Sequence, residues 1–339
     1  MYESSTAVSA IIIKGVSAMK YVSLKDSEKK ASRLVYGTGN NAIMGDDEGR
    51  AKDCIQRAFD HGFTVFDTAY AYGKAEHNFG LWLAGSGRRE QVIILDKGCN
   101  PGQEGSADEM SQDLIRQQCE ESRQRLQTDY VDYYILHRDD PEYPVGAVME
   151  VLNELQEEGK VRHFGVSNWT WQRIREGNKY AADHGLKGFQ ALSPAYSLAE
   201  FVHDPWGRSI TLSGAANEKM REAYFQSGLP VFTYSSLARG YLSGKFVTDG
   251  DRPIEDCLWW APIKEYDCPE NRQRLHRAEE MARKKELTVS QIALAWLLHQ
   301  SDNLFPIVSP SSTSHMEEVI QSLTVPLTQK EQNWLLMGQ

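Results

Sequence analysis

Strand-like and helix-like segments alternate eight times between Arg33 and Ser322, and this alternation limits the fold more than any other feature of the chain. Short runs rich in β-branched and aromatic residues precede longer stretches of helical period. Strands are predicted at residues 33–37, 64–67, 92–95, 130–136, 161–166, 189–192, 231–234 and 305–308, with an edge strand or hairpin at 20–24. Helices are predicted at 47–61, 75–84, 106–126, 171–184, 214–226, 269–285, 289–299, 314–322 and 328–337, and Val145, Val148, Met149, Leu152 and Leu155 mark another that Gly159 ends. Ser106 with Glu109, Thr288 with Gln291, Ser314 with Glu317 and Thr328 with Glu331 read as capping boxes.

Eight βα units suit a closed (β/α)8 TIM barrel, and 339 residues are enough to build one. The expectation is a single domain over residues 19–339, with a long segment at 235–268 after strand seven and an extra helix at the end. Residues 1–18 resemble nothing that follows and are expected to be an extension. The competing architecture is a doubly wound open sheet, which often carries a dinucleotide fingerprint after its first strand. Here Gly37-Thr38-Gly39 lacks the third glycine at the required place.

A net charge of −10 argues against broad binding to nucleic acid or anionic membranes. No apolar run approaches the length of a membrane span. The five cysteines have no metal-type spacing, and an odd count argues against a disulfide framework. Free thiols in a reducing cytosol, no metal and a cytoplasmic location are expected.

Ligands and chemistry collect at the C-terminal ends of barrel strands. Asp67 ends the second strand and Tyr72 follows in the next loop, Lys97 lies at the tip of the third and His137 at the tip of the fourth. Neighbouring strand ends share one rim, so the four side chains can converge. A phenol is a weak acid at neutral pH, and a nearby ammonium lowers its pKa. A carboxylate keeps that ammonium charged and placed, and a neutral imidazole can orient a carbonyl oxygen. The set suits protonation of a carbonyl as hydride reaches its carbon. Asp96, next to Lys97, could compete for it, but strand neighbours alternate faces, so Asp96 is expected to point away.

These residues carry a resemblance to the aldo-keto reductases. It rests on Phe66-Asp67-Thr68-Ala69 with Tyr72-Gly73, on Lys97, on Asp132 through Arg138, and on Gly165-Val166-Ser167-Asn168. It continues through Gln190, Tyr196-Ser197, Tyr234-Ser235-Ser236-Leu237, Gly240, Leu242, Gly244 and Lys245. The branch it most resembles includes potassium-channel β-subunits and bacterial sugar or aldehyde reductases. The resemblance implies Tyr72 as proton donor, tuned by Asp67 and Lys97, with His137 orienting the carbonyl. It implies that Ser167, Asn168 and Gln190 hold the nicotinamide carboxamide and that Tyr234 stacks on the ring. Ser235, Leu237, Gly240 and Lys245 would take the pyrophosphate. Gly37, Thr38, Asp67, Ser309, Ser311, His315 and Glu318 complete the cofactor set.

The family often has Gly where Ser309 stands and Arg or Gln where His315 stands. A 2′-phosphate favours Arg or Lys. NADP(H) is therefore placed ahead of NAD(H) on resemblance alone. Tyr36, Trp169 and Trp206 are expected to wall a pocket for a small carbonyl, alcohol or sugar. The alternative function is a nicotinamide-binding regulatory subunit with little turnover. A homo-oligomer is compatible with either.

Overall fold

Barrel strands are covered on both faces, so their sequences run almost continuously apolar instead of alternating. Ile93-Ile94-Leu95 and Tyr133-Tyr134-Ile135-Leu136 have this character, and each of these residues is buried. In the computed structural model, which describes residues 19–25, 27–100, 110–204 and 206–339, the chain divides into two compact units, residues 19–193 and 194–339.

The first unit opens with an antiparallel hairpin, β1 (Tyr21–Ser23) against β2 (Lys30–Ser32). Then β3 (Val35–Gly37), β4 (Val65–Asp67), β5 (Ile93–Gly98), β6 (Val131–Leu136), β7 (Val161–Ser167) and β8 (Ala191–Ser193) run parallel, each paired with the next. Its helices are α1 (Asn41–Met44), α2 (Glu48–Asp60), α3 (Ala75–Ser86), α4 (Gln112–Arg125), α5 (Val145–Glu157) and α6 (Trp171–Asp183). In the second unit α7 (Glu218–Gln226) precedes β9 (Val231–Thr233), and α8 (Trp260–Tyr266), α9 (Pro269–Lys285) and α10 (Val289–Leu298) precede β10 (Leu304–Val308). There β9 and β10 pair in parallel, and α11 (Thr313–Gln321) and α12 (Gln329–Met337) follow. The eight parallel strands form a closed barrel in the order β10-β3-β4-β5-β6-β7-β8-β9, the (β/α)8 architecture expected.

Local chemistry explains the elements. In α2, Ala51, Cys54, Ile55 and Ala58 fall at helical spacing and are the buried face, while the Asp47 side chain accepts from the Arg50 amide at the N-terminus. Asp132 would be an uncompensated charge near the start of β6, but Lys29 and Arg89 each reach it at 2.8 Å, and it accepts from the Ile94 amide at 2.9 Å. Lys29 lies between β1 and β2, so this acid ties the hairpin to the barrel strands. At Gly165 of β7, a β-carbon would sit 2.2 Å from the Ala191 carbonyl oxygen, so only glycine lets β7 and β8 approach.

Several expectations shift on contact with the structure. The Ser106 box lies outside the described residues; the helix there starts at Gln112, with the Ser111 side chain accepting from the Leu114 amide at 3.0 Å. The cap of α11 is Ser312, not Ser314, and accepts from the His315 amide at 3.2 Å. The boxes at Thr288 and Thr328 are present as expected. The segment 235–268 is not a bare loop: it holds 3-10 turns at Ala238–Gly240 and Ile254–Asp256 as well as α8.

Candidate active site

The end of β4 is clamped before any functional side chain is considered. The Thr38 hydroxyl and amide both donate to the Asp67 carbonyl, at 3.0 and 2.8 Å. The Thr68 amide donates to the Leu95 carbonyl and the Tyr70 amide to the Lys97 carbonyl, each at 2.8 Å. The strand end and the start of its loop are thereby fixed to β5. The Tyr72 amide then donates to the Ala69 carbonyl at 2.9 Å and turns the phenol back over the strand tips.

Within this frame the first unit brings the four expected residues together. Lys97 and Asp67 are 2 % and 3 % exposed and form a buried ion pair; the lysine also donates to the Thr68 carbonyl at 3.0 Å. The ammonium lies 5.0 Å from the centre of the Tyr72 ring and acts electrostatically on its hydroxyl. The His137 ring meets Tyr72 edge-on, with centroids 5.9 Å apart and planes at 79°. Gly39 lies against the phenol: a β-carbon there would come within 3.0 Å of the ring.

The electrostatics follow from burial competing with one cation. Burial holds the Tyr72 hydroxyl above its usual pKa, and Lys97 offsets part of that rise. The expected lowering by the ammonium is thus present but is outweighed by burial. Burial pulls the Lys97 ammonium down, yet Asp67 and Tyr72 more than offset it, and lysine stays charged. For Asp67 burial raises the carboxyl against the opposing pull of Lys97. Burial, Lys97 and Arg138 hold the His137 imidazole well below its ordinary value of 6.5. The ring is therefore a neutral hydrogen-bonding group. Because its folded value is depressed, keeping it neutral favours the fold above pH 6.5, and that contribution is lost as the pH falls toward the folded value. A ring-proton NMR titration should give no His137 inflection at 6.5, whereas one found there would contradict a ring held neutral.

The β6 and β7 tips are cross-linked. Asn168, in left-handed backbone with φ 61°, donates to the Ser167 hydroxyl at 3.1 Å and to the His137 carbonyl at 3.2 Å. The Ser167 hydroxyl donates to the Ser193 carbonyl at 2.7 Å. Gln190 does not join them. Its amide oxygen accepts from Gln156 Nε2 at 3.1 Å and from the Phe164 amide at 3.3 Å. It precedes β8, three residues or about 10 Å of strand from the Ser193 tip. Ser193 is the residue sequence reasoning missed. Its buried hydroxyl has no hydrogen-bond partner, and neither does the Thr68 hydroxyl after β4 nor His137 Nδ1 after β6. Position at a strand tip was the only signal for Ser193.

Two expected pocket walls are core instead. Tyr36 is fully buried, edge-on to Phe63 and Phe66. Trp169 is buried against Phe189, with the Arg173 guanidinium over its ring. Gly37 lies in β3 opposite Asp67, where it is part of the strand.

In the second unit Trp206 stands edge-on to Tyr234, with centroids 6.0 Å apart. The Arg239 guanidinium lies 4.9 Å from the ring centres of both Trp206 and Trp259 and pairs with buried Glu265. Burial pushes the Glu265 carboxyl up to about 6 against the pull of Arg239. From Ser235 to Gly240 four residues have positive φ: Ser235 54°, Ala238 48°, Arg239 54° and Gly240 103°. Leu237 lies inside this turn, its carbonyl accepting from Gly240 and Leu242 amides, and Lys245 is exposed beyond it. Ser309, Ser311 and His315 are exposed around the N-terminus of α11. Glu318 faces elsewhere: its carboxylate accepts from Thr288 at 2.7 Å and from Ser290. Among the described residues no cluster of His, Cys, Asp or Glu is arranged to hold a metal ion, and no helix is long and apolar enough to cross a membrane.

The barrel thus carries a buried lysine–carboxylate pair beside a tyrosine at its strand tips. The sequence profile of the Aldo/keto reductase family matches residues 33–335, and the chain belongs to that family. It is 30 % identical over 285 residues to probable aldo-keto reductase 1 of Glycine max, covering 82 % of this chain and 75 % of that one. Over 297 residues it is 27 % identical to the aldo-keto reductase yakc [NADP(+)] of Schizosaccharomyces pombe, covering 86 % and 83 %. The fold matches the crystal structure of the thermostable aldo-keto reductase Tm1743 with the inhibitor epalrestat, with a TM-score of 0.69, 22 % identity and coverage of 93 % and 98 %. Family membership makes the chain an oxidoreductase of the nicotinamide-dependent, carbonyl-reducing kind.

Proposed function

We propose that Tyr72 is the proton donor and acceptor in hydride exchange between a nicotinamide cofactor and an aldehyde or ketone, or the matching alcohol or sugar hydroxyl. The observation that carries this reading is the Lys97 ammonium, bound to Asp67 and 5.0 Å from the centre of the Tyr72 ring. When bound, the nicotinamide supplies or takes the hydride. Tyr72 gives its proton to the carbonyl oxygen, and Lys97 stabilises the phenolate left behind. Asp67 holds Lys97 in place and charged. His137, kept neutral, donates to or accepts from the substrate oxygen without adding a competing positive charge.

Ser167, Asn168 and Ser193 are suited to the polar carboxamide, and the unpartnered Ser193 hydroxyl supports the fit. Tyr234 would face the ring, and Ser235, Leu237, Gly240 and Lys245 the pyrophosphate. Ser309, Ser311 and His315 would take the adenosine end, where hydroxyls and a helix N-terminus favour an anion. NADP(H) is placed first, supported by the family and by the name of the Schizosaccharomyces pombe relative. Because His315 stands where Arg would bind a 2′-phosphate, the preference should be modest. Titrating NADPH and NADH against tryptophan fluorescence tests this. A preference above roughly a thousandfold, about 4 kcal/mol, would contradict it, and failure to bind either would remove the reading.

A further inference from the structure

Asp96 precedes Lys97 on β5, and the alternation of the strand sends the two side chains to opposite faces. Lys97 turns to Asp67, while Asp96 is 0 % exposed, close to α3 and α4, and neither of its oxygens has a hydrogen-bond partner. The nearest groups are equally bare. Glu76 of α3 is 1 % exposed and gives one oxygen to Arg125 at 3.0 Å, but its other oxygen accepts nothing. The buried Ser122 hydroxyl of α4 also lacks a partner. Glu76 and Ser122 are the polar side chains that act most closely on the Asp96 carboxyl, although no hydrogen bond joins either to it.

Two ionised carboxylates in contact would leave all these acceptors unsatisfied in a dry setting. A single proton resolves the cluster. As an acid, Asp96 donates to the open Glu76 oxygen, and Ser122 donates to the other Asp96 oxygen. The negative charge then resides on Glu76, where Arg125 faces it. Tyr134 lies opposite Asp96 on β6, and Cys119 of α4 also feels its charge; neither supplies a cation. Beyond Arg125, Glu121 takes that guanidinium's second contact and the Tyr70 hydroxyl. Burial, reinforced by Glu76, holds the Asp96 carboxyl well above the usual carboxylate range against the opposing pull of Lys97.

We propose that Asp96 and Glu76 hold one buried proton between them, carried on Asp96, and that this leaves the Lys97 ammonium to Asp67 and Tyr72 alone. Asp96 is thus a positioning residue that acts through Lys97. If it ionised, a second negative charge one residue from the lysine would oppose the Tyr72 phenolate. The link to turnover rests on the reading of Tyr72 as proton donor; the shared proton does not.

The test has two arms. Infrared difference spectra at neutral pH should show a protonated carboxylic-acid band in the wild-type protein that Asp96→Asn removes. The pH dependence of kcat/KM should be unchanged in Asp96→Asn, whose amide copies the neutral acid. In Glu76→Gln the amide donates to Asp96 and lets it ionise, so the basic limb should move up by about one pH unit. Adding Asp96→Asn to that variant should return the limb to its wild-type position. Absence of the acid band from the wild-type spectrum overturns the shared proton, as does its persistence in Asp96→Asn. A present band with an unmoved limb in Glu76→Gln overturns the link to Lys97. Full turnover in Tyr72→Phe would instead defeat the proton-donor reading and leave the band untouched. If Glu76→Gln does not fold, the infrared comparison of wild type with Asp96→Asn still decides the shared proton.

Discussion

Tyr72→Phe should lower kcat by about 10²–10⁴-fold while cofactor dissociation constants stay within about twofold of wild type. The substitution removes one hydroxyl from a partly buried ring whose remaining contacts, the His137 edge and the Gly39 backbone, are unchanged. The fold should therefore survive. What disappears is the proton that a reduced carbonyl oxygen must receive, and His137, held neutral, does not carry a spare one. Steady-state kinetics with a reduced nicotinamide, alongside fluorescence titration of cofactor, separate the two effects. A variant turning over at the wild-type rate would show that the phenol is not the donor.

Lys97→Met should lose both activity and stability. The lysine is 2 % exposed, and its removal strands Asp67, itself buried, with no cation. Breaking such a pair from one side costs about 3–5 kcal/mol, because a charge is left buried and unpaired. Adding Asp67→Asn should recover much of that loss, since no charge then remains to be compensated, yet turnover should stay absent because nothing stabilises the phenolate. Chemical denaturation of the single and double variants measures the first effect and kinetics the second. A single variant as stable as wild type would mean that Asp67 protonates or rehydrates at little cost.

The fold was legible because each strand of this barrel is a short apolar run and each following helix carries its own stripe. The tetrad was legible for a related reason: Asp67, Lys97 and His137 fall at the ends of three consecutive strands, and consecutive strands are neighbours. Its energetics were less so. A sequence puts a lysine near a tyrosine, but how far burial outweighs that lysine depends on packing around both. Gln190 fails on register. The strand expected from residue 189 starts at Ala191, two residues later, and the structure leaves this amide before the strand while Ser193 takes the tip. Tyr36 and Trp169 are buried among other aromatics, and an aromatic residue near a rim reads the same in sequence whether it lines a pocket or fills the space between strand and helix. The caps of α4 and α11 show the same limit on a smaller scale, since runs such as Ser309 to Ser314 offer several side chains able to accept the first free amide. Glu318 was taken up by Thr288 and Ser290, partners 28 or more residues away that no local pattern reveals.

Asp96 is the instructive case. Alternation alone sent it away from Lys97, and the structure agrees. What alternation could not supply was Glu76, 20 positions earlier on another element, and the missing hydrogen-bond partners that make the pair unusual.

The central claim, that the chain moves hydride between a nicotinamide and a carbonyl with Tyr72 managing the proton, is tested most directly by following reduced-nicotinamide absorbance. Wild-type protein, NADPH or NADH, and a panel of aldehydes, ketones and sugars are mixed, and the product alcohol is quantified. The expected result is loss of absorbance with at least one carbonyl, one alcohol formed per cofactor oxidised, and near-abolition of both in Tyr72→Phe. Equal consumption of cofactor by the wild-type and Tyr72→Phe proteins would contradict the account.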